Sequence, residues 1–312
     1  MNKIFLFSSF VLFFGPVSYT QDSIAPAKNW KLKSIQSLST SQSSFVNWNA
    51  GGRTSLNLLG SIIASANYVK DKWTWNNDLT LALGGNKFFD TGDHKSFQKT
   101  DDKIDFTSEI EYELHQHWSV AFLTGFRTQF AEGYTNQNDT LRSSLFMAPG
   151  YLNLALGIEY VPTPIFSMFL SPASVKMTFV QDGNLSNAGA FGVRKAELDT
   201  LGNVLRAGDK FRGEIGAYLR FKLETPLGKN VDLKSKLEFF SNYQHNPQNI
   251  DVNGELLMNF KVNNWLNASL AWNYIYDDDI QIQDYKGNVG PRSQFKSVIS
   301  IGLAYTVKNF KE

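Results

Sequence analysis

Charged side chains in this sequence recur at every second position within apolar segments. Acidic residues alternate with apolar ones from 104 to 114, and arginine, lysine and glutamate do so from 214 to 224. Charges of both signs on one face can pair across neighbouring strands or line a pore that selects solutes, and both interpretations stay open. The candidate positions are Asp105, Glu109, Glu111, Glu113, Arg127, Arg220, Lys222, Glu224, Lys234, Lys236, Glu238, Glu255 and Lys261.

A period of two is the pattern of a β-strand with one apolar and one polar face. Soluble strands run about five or six residues, whereas a tilted strand that crosses a bilayer needs roughly nine to eleven. The segments here are of the longer kind, which favours an antiparallel up-and-down transmembrane β-barrel over a soluble β-sandwich or barrel. The mean hydropathy of −0.26 agrees, because a barrel turns only alternate residues toward lipid.

About twelve strands are expected, which is an even number, as in bacterial single-chain barrels. The segment 30–40 alternates poorly, and the alternation shifts phase near Pro172, where a bulge is expected. Short turns alternate with longer loops, among them 84–102, 131–142 and Gln181 to Lys210. The expected strands are 30–40, 53–68, 73–83, 104–114, 118–130, 152–160, 166–179, 214–224, 231–239, 252–262, 266–274 and 299–307.

Aromatic residues cluster beside the short turns. Trp73, Trp118 and Trp265 directly follow such turns, and other rings directly precede them: Tyr68, Tyr112 and Tyr160. This arrangement predicts an aromatic girdle at one membrane interface.

The first residues predict export. Lys3 precedes an apolar run from Ile4 to Val17, so residues 1–20 are interpreted as a signal peptide, 21–29 as a periplasmic tail and 30–312 as one barrel domain. The expected location is the Gram-negative outer membrane. The expected partners are its lipids and lipopolysaccharide, the barrel-assembly machinery and a small polar solute. The formal charge of +1 argues against a nucleic-acid partner, and the lack of cysteine excludes disulfides and thiolate metal sites.

No catalytic motif is found, and neither an enzymatic activity nor a cofactor is expected. His115 and His117 are spaced like a metal pair, but an exposed turn is favoured. The acidic run Asp277 to Asp279 has the chemistry to hold calcium or bridge lipopolysaccharide through divalent ions, yet a solvated loop is favoured. Asp182, Asn184 and Ser186 begin like a calcium loop that no glutamate closes. No metal site is therefore predicted.

Short motifs in a fixed order resemble a known family. They are Asn47, Trp48, Gly51 and Gly52; Thr128 to Phe130; Ala148, Pro149, Tyr151 and Leu152; Ser171 and Pro172; Phe191 to Val193; Asn246, Pro247 and Asn249 to Val252; and Tyr276 to Asp279. Together they resemble a Bacteroidota outer-membrane barrel family catalogued as a domain of unknown function (DUF3078). The resemblance implies an outer-membrane location and supplies no activity.

The expected function is a narrow passive pore or a structural barrel. One alternative is a scaffold for a surface or secretion complex, which would use the long loop from Gln181 to Lys210. The other is a barrel-embedded hydrolase, for which only His245, Asp251 and the run from Asp277 to Asp279 offer candidate groups at the rim.

Overall fold

The computed structural model describes residues 29–44, 55–89, 97–134, 140–283 and 287–310. The predicted signal peptide and most of the predicted tail lie outside these ranges. Four short strands form two hairpins outside the wall: β8 (Glu197–Leu198) with β9 (Val204–Arg206), and β14 (Gln281–Gln283) with β15 (Val289–Pro291). The wall consists of β1 (Trp30–Ser43), β2 (Ser55–Lys70), β3 (Trp73–Phe88), β4 (Phe97–His115), β5 (Trp118–Thr128), β6 (Gly150–Thr163), β7 (Phe166–Phe179), β10 (Phe211–Gly228), β11 (Val231–Asn242), β12 (Ile250–Lys261), β13 (Leu266–Tyr276) and β16 (Gln294–Lys308).

These twelve wall strands form a closed antiparallel barrel, which confirms the predicted fold class. Strand β1, the segment with poor alternation, pairs with β2 from Trp30 to Ser43 and with β16 from Lys33 to Ser39. Its place in the wall is therefore fixed by backbone pairing rather than by its side-chain pattern. Closure satisfies the backbone of the wall internally, which a membrane-spanning sheet requires.

The bulge predicted near Pro172 is present on β7. Along β10, Gly216 pairs with Ser174 but Tyr218 pairs with Ser171, so β7 holds one extra residue. The register toward β6 shifts at the same place. The bulge explains why the apolar face of β7 changes sequence parity halfway along the strand.

The largest errors in the predicted boundaries are at three strand ends. The predicted polar loop 84–102 is partly strand, because β3 continues to Phe88 and β4 begins at Phe97; likewise, β16 begins at Gln294 rather than at 299. These ends lie toward the long loops. We attribute the difference to strand ends that extend beyond the bilayer, where both faces are wet, so that backbone pairing continues while the apolar alternation is lost.

Aromatic rings meet at the end of the barrel that carries the short turns, called the short-turn end below. Trp73 lies 4.9 Å from Tyr112 between ring centroids, and Trp118 lies 4.3 Å from Tyr160. Tyr68 lies 5.1 Å from Trp30, and Trp265 is 57% exposed. Outward leucine, isoleucine and phenylalanine side chains continue above this level on the wall strands. Together they form the surface of a transmembrane barrel. Among the described residues, no helix is long and apolar enough to span a bilayer.

The segment between β7 and β10 is folded rather than extended. Helix α1 (Gly183–Asn187) begins after Asp182, whose carboxylate accepts the backbone N–H groups of Asn184 and Leu185. A single 3-10 turn, Ala190–Gly192, follows. Leu185 packs with Ala148, Val180 and Val193 in a small buried cluster. The residues that began like a calcium loop therefore form a helix cap.

Candidate functional site in the barrel lumen

The strand register places all the candidate charged residues on the inward face. On β4, Asp105, Glu109 and Glu111 have the same parity, and their neighbours on β5 are Arg127, Leu123 and Ala121. The inward positions of β10, β11 and β12 follow from the pairs Arg220 with Glu238 and Lys236 with Glu255. These side chains therefore share one lumen.

Most of the ion pairs cross the lumen instead of joining neighbouring strands. Lys103 on β4 lies 3.0 Å from Glu255 on β12, and these two strands are six positions apart in a barrel of twelve. Arg127 bonds to Asp105 at 3.2 Å and reaches across to Glu238. Lys236 lies 3.8 Å from Asp105. We call this layer the septum: Lys103, Asp105, Arg127, Lys236, Glu238 and Glu255.

A second cross-lumen contact is fully buried. Arg220 on β10 donates through Nη2 to both oxygens of Glu109 on β4 at 2.8 Å and to Glu159 on β6 at 3.3 Å. Arg220 is 1% exposed, and its guanidinium lies 5.3 Å from the ring centroid of Phe169. Within the described part of the chain, the Nε and Nη1 groups of Arg220 are buried without a hydrogen-bond partner. The side chains of Arg220 and Glu109 are only 1% and 2% exposed, so bulk solvent does not reach this region of the lumen.

The lumen beside Arg220 is filled by packed side chains. Ala121, Leu123, Ala155, Phe169 and Tyr218 form a buried cluster in which every member is at most 6% exposed. They project inward from β5, β6, β7 and β10. We call this side the packed lobe; it resembles the core of a soluble protein more than a pore.

The opposite side of the lumen is lined mainly by uncharged residues, many of them small. Ser37, Ser61, Thr80, Ser300 and Ala304 point inward from β1, β2, β3 and β16, and each is only partly buried. Ile35, Leu59 and Ile63 share this face. At the short-turn end, the inward Asp78, Thr306 and Lys308 are exposed. We call this side the open lobe, because most of its inward side chains are partly accessible to water, although Ser39 and Ala82 are only 9% and 8% exposed.

The acidic run Asp277 to Asp279 at the long-loop end forms ion pairs with basic side chains of the barrel. The prediction of a solvated loop is therefore wrong. Lys176 lies 2.6 Å from Asp251 and 2.9 Å from Asp277, and Arg212 bonds to Asp279. Oxygens of Asp251, Asp277 and Asp278 lie within 4.8 Å of one another, as metal ligands would. The ammonium group of Lys176 already supplies positive charge to this cluster.

The remaining candidates lie toward the short-turn end. Glu111 accepts a hydrogen bond from Asn76 Nδ2 at 2.8 Å, and Lys222 lies 3.8 Å from Glu109. Glu224 and Lys234 pair at 2.7 Å on adjacent strands, as predicted for the ladder. Two further candidates, Glu113 and Lys261, are exposed.

The three described histidines lie away from the septum, and His94 lies outside the described residues. His115 is the last residue of β4, and His117 Nδ1 lies 2.9 Å from the Val161 carbonyl. The exposed His245 follows β11.

Several lumen charges were absent from the predicted set: Asp101, Lys103, Glu159, Lys176, Arg212, Glu214 and Lys296. Glu159 alternates with Ile158 and Tyr160, so its parity was a usable signal. Asp101 and Lys296 lie in segments predicted as loops. Lys176 lies beyond the bulge, where the parity of β7 reverses.

The geometry defines a closed, membrane-spanning β-barrel with a packed lobe, a septum and an open lobe. A family described as "Protein of unknown function (DUF3078)" matches residues 40–134, which confirms the resemblance over that part of the chain. No curated protein matches the sequence.

Solved barrels are similar at low identity. An outer-membrane channel from Pseudomonas putida F1 has 13% identity and a TM-score of 0.37, with 90% of this chain and 95% of that one covered. The translocator domain of the autotransporter NalP from Neisseria meningitidis has 12% identity and a TM-score of 0.34, covering 90% of each chain. The toluene transporter TodX of P. putida has 10% identity and a TM-score of 0.31, covering 93% and 92%. At such scores the likeness carries no functional argument.

Proposed function

We propose that this protein is an outer-membrane β-barrel and that its open lobe is a narrow passive pore for small polar solutes. The observation that carries the proposal is the contrast inside one lumen. Most inward side chains of the open lobe are partly accessible to water, whereas Arg220, Phe169 and Ala121 on the packed side are at most 1% exposed. A barrel with a purely structural interior has no need of this asymmetry.

The lining of the open lobe indicates the class of solute. Hydroxyl groups follow the wall, and they pair between neighbouring strands: Ser37 with Ser61 at 2.6 Å and Ser269 with Ser300 at 2.7 Å. The charges of the septum are balanced by one another, so they impose no strong preference for one sign. Small uncharged polar molecules are therefore the solutes that this path fits best.

A blocking substitution tests the proposal. In Ala304→Trp, an indole would project into the open lobe, whereas in Leu303→Trp, on the same strand, it would project toward lipid, where Leu303 is already 51% exposed. Uptake of arabinose by proteoliposomes should fall in Ala304→Trp and remain at the wild-type rate in Leu303→Trp, with folding of both checked by circular dichroism. Wild-type liposomes no more permeable than empty ones, or equal uptake by the two variants, would contradict the pore.

A second candidate function, a scaffold for a surface complex, is favoured by the β8–β9 hairpin. Four aliphatic side chains on it are exposed: Leu198 at 57%, Leu201 at 86%, Val204 at 52% and Leu205 at 71%. The turn is held by Asp199, whose carboxylate accepts the backbone N–H groups of Leu201 and Asn203.

The scaffold candidate is tested by crosslinking in whole cells. A partner recovered with wild type should be lost in Leu201→Asp and retained in Leu303→Trp. If no reproducible partner is recovered, the scaffold is refuted.

The hydrolase alternative remains a prediction. Among its candidate groups, Asp251, Asp277 and Asp279 are engaged by Lys176 or Arg212. Screening the refolded protein against lipid, peptide and glycan substrates tests it, with hydrolysis expected to be absent.

A further inference from the structure

The open lobe is bridged at its long-loop end by a cross-lumen ion pair between two described residues, Asp101 and Lys296. We propose that this pair determines the permeability and ion preference of the pore, and that solutes pass when it separates. The inference rests on the proposed function, because it assigns the selectivity-determining contact within the same path.

The pair joins strands that are not neighbours. Asp101 Oδ1 on β4 lies 2.6 Å from Lys296 Nζ on β16, and β1, β2 and β3 separate the two strands along the wall. These five strands and the ion pair together enclose the open lobe. The bond therefore crosses the path instead of lying along its wall.

The register connects this bond to the septum. Lys296 pairs with Asn273, Asn273 with Glu255, and Glu255 with Lys236, so the four residues form one inward row. Glu255 bonds to Lys103, which lies two residues from Asp101 on β4. The Asp101–Lys296 pair is thus the continuation of the septum over the open lobe.

Next to Asp101 the wall carries small or apolar residues, so the Asp101–Lys296 bond is the polar group that obstructs the path there. Gly84 pairs with Asp101 and Ala82 with Lys103. A Cβ atom at Gly84 would lie 2.9 Å from Leu59 Cδ1, so Leu59 already covers that part of the wall. The Asp101 carboxylate and the Lys296 ammonium group span the remaining distance between this part of the wall and β16.

The exposure of the pair indicates that it separates more readily than the contacts of the packed lobe. The side chains of Asp101 and Lys296 are 16% and 43% exposed, whereas those of Arg220 and Glu109 are 1% and 2% exposed. A partly solvated ion pair is weak, because water competes for both groups and salt screens them. Thermal opening is therefore expected at this pair and not at Arg220.

Planar-bilayer recordings in potassium chloride test the assignment. Lys296→Ala should raise single-channel conductance at least about twofold, because the narrowest point of a pore limits its conductance. It should also shift the reversal potential toward cation preference, since Asp101 then stands alone; Asp101→Ala should shift it toward anion preference. A double variant with the charges exchanged, Asp101→Lys with Lys296→Asp, should restore the low conductance.

The matched control is Lys234→Ala, which breaks the 2.7 Å Glu224–Lys234 pair at the short-turn end, where both side chains are about half exposed. It should leave conductance unchanged. Equal effects of Lys234→Ala and Lys296→Ala, or shifts of the same sign in the two single variants, would overturn the inference. If wild type conducts and Ala304→Trp blocks it while Lys296→Ala changes nothing, the pore stands and this assignment fails. If no variant conducts, the proposed function itself fails.

Discussion

Replacing Arg220 by methionine tests whether the packed lobe is as dry as its geometry indicates. The substitution keeps a long side chain against Phe169 but leaves Glu109 and Glu159 buried without their shared cation. Removing one partner from a buried ion pair typically costs about 3–5 kcal/mol of unfolding free energy. Two guanidinium N–H groups already lack partners in the described structure, and their removal offsets part of that loss. We therefore expect a net loss of about 3 kcal/mol.

The assay is urea unfolding of the refolded barrel in lipid, followed by tryptophan fluorescence. Lys234→Met is the control, because it breaks an exposed pair and should cost less than about 1 kcal/mol. Adding Glu109→Gln to Arg220→Met should restore part of the stability, since one of the stranded carboxylates is then neutral. If Arg220→Met costs no more than Lys234→Met, water reaches Glu109 and Glu159, and the division of the lumen into a packed and an open lobe is refuted.

Three smaller predictions concern the backbone and the external hairpin. Gly157→Ala should destabilise the barrel by about 1–3 kcal/mol in the same urea assay, because its Cβ would lie 2.2 Å from a backbone oxygen of β7; Gly254→Ala, whose nearest atoms are 3.5 Å away, should stay within about 0.5 kcal/mol. Leu201→Asp should also stay within about 0.5 kcal/mol, because the side chain is 86% exposed, and a larger loss would show that the hairpin packs on the barrel. The pKa of Asp199 is lowered, mainly because the side chain of Asn203 donates to it, so the turn should persist from neutral pH down to the ordinary aspartate range and weaken below it. The measurement is the protection factor of the turn amides in hydrogen exchange. A protection factor that is already lost near neutral pH would contradict this prediction.

The alternation of side chains predicted the wall because it records a local property. Each strand in a membrane barrel must turn one parity to lipid, so Ile215, Leu219 and Phe221 reveal their strand without any knowledge of its neighbours. The phase change at Pro172 was equally local, and the bulge is where it was predicted. The ends of β3, β4 and β16 were missed, and we attribute this to the loss of the lipid constraint above the bilayer.

Partners across the lumen could not be predicted in the same way. Parity places Glu109 and Arg220 on the inward face, but it does not give the stagger of the strands around the barrel, which decides the height at which each side chain meets the opposite wall. The expectation of pairing along the ladder holds for Glu224 with Lys234 and for Asp105 with Arg127. It fails for Arg220, whose ladder neighbour Glu238 bonds to Arg127 and Tyr218 instead.

The difference between the packed lobe and the open lobe could nevertheless have been predicted from the inward residues of each strand. Inward positions on β4, β10 and β11 are mostly charged, whereas those on β1, β2 and β16 are mostly uncharged, and nearly half of them are serine, threonine, alanine or glycine. Charged side chains long enough to reach the opposite wall fill the space they enter, and small ones leave it to water. Because strands adjacent in sequence are adjacent in an up-and-down barrel, and β1 closes on β16, the small-residue strands had to form one continuous side. The position of the open lobe therefore follows from the inward residues of each strand and from the closure of the barrel. The septum follows from the length of the charged side chains that face the open lobe.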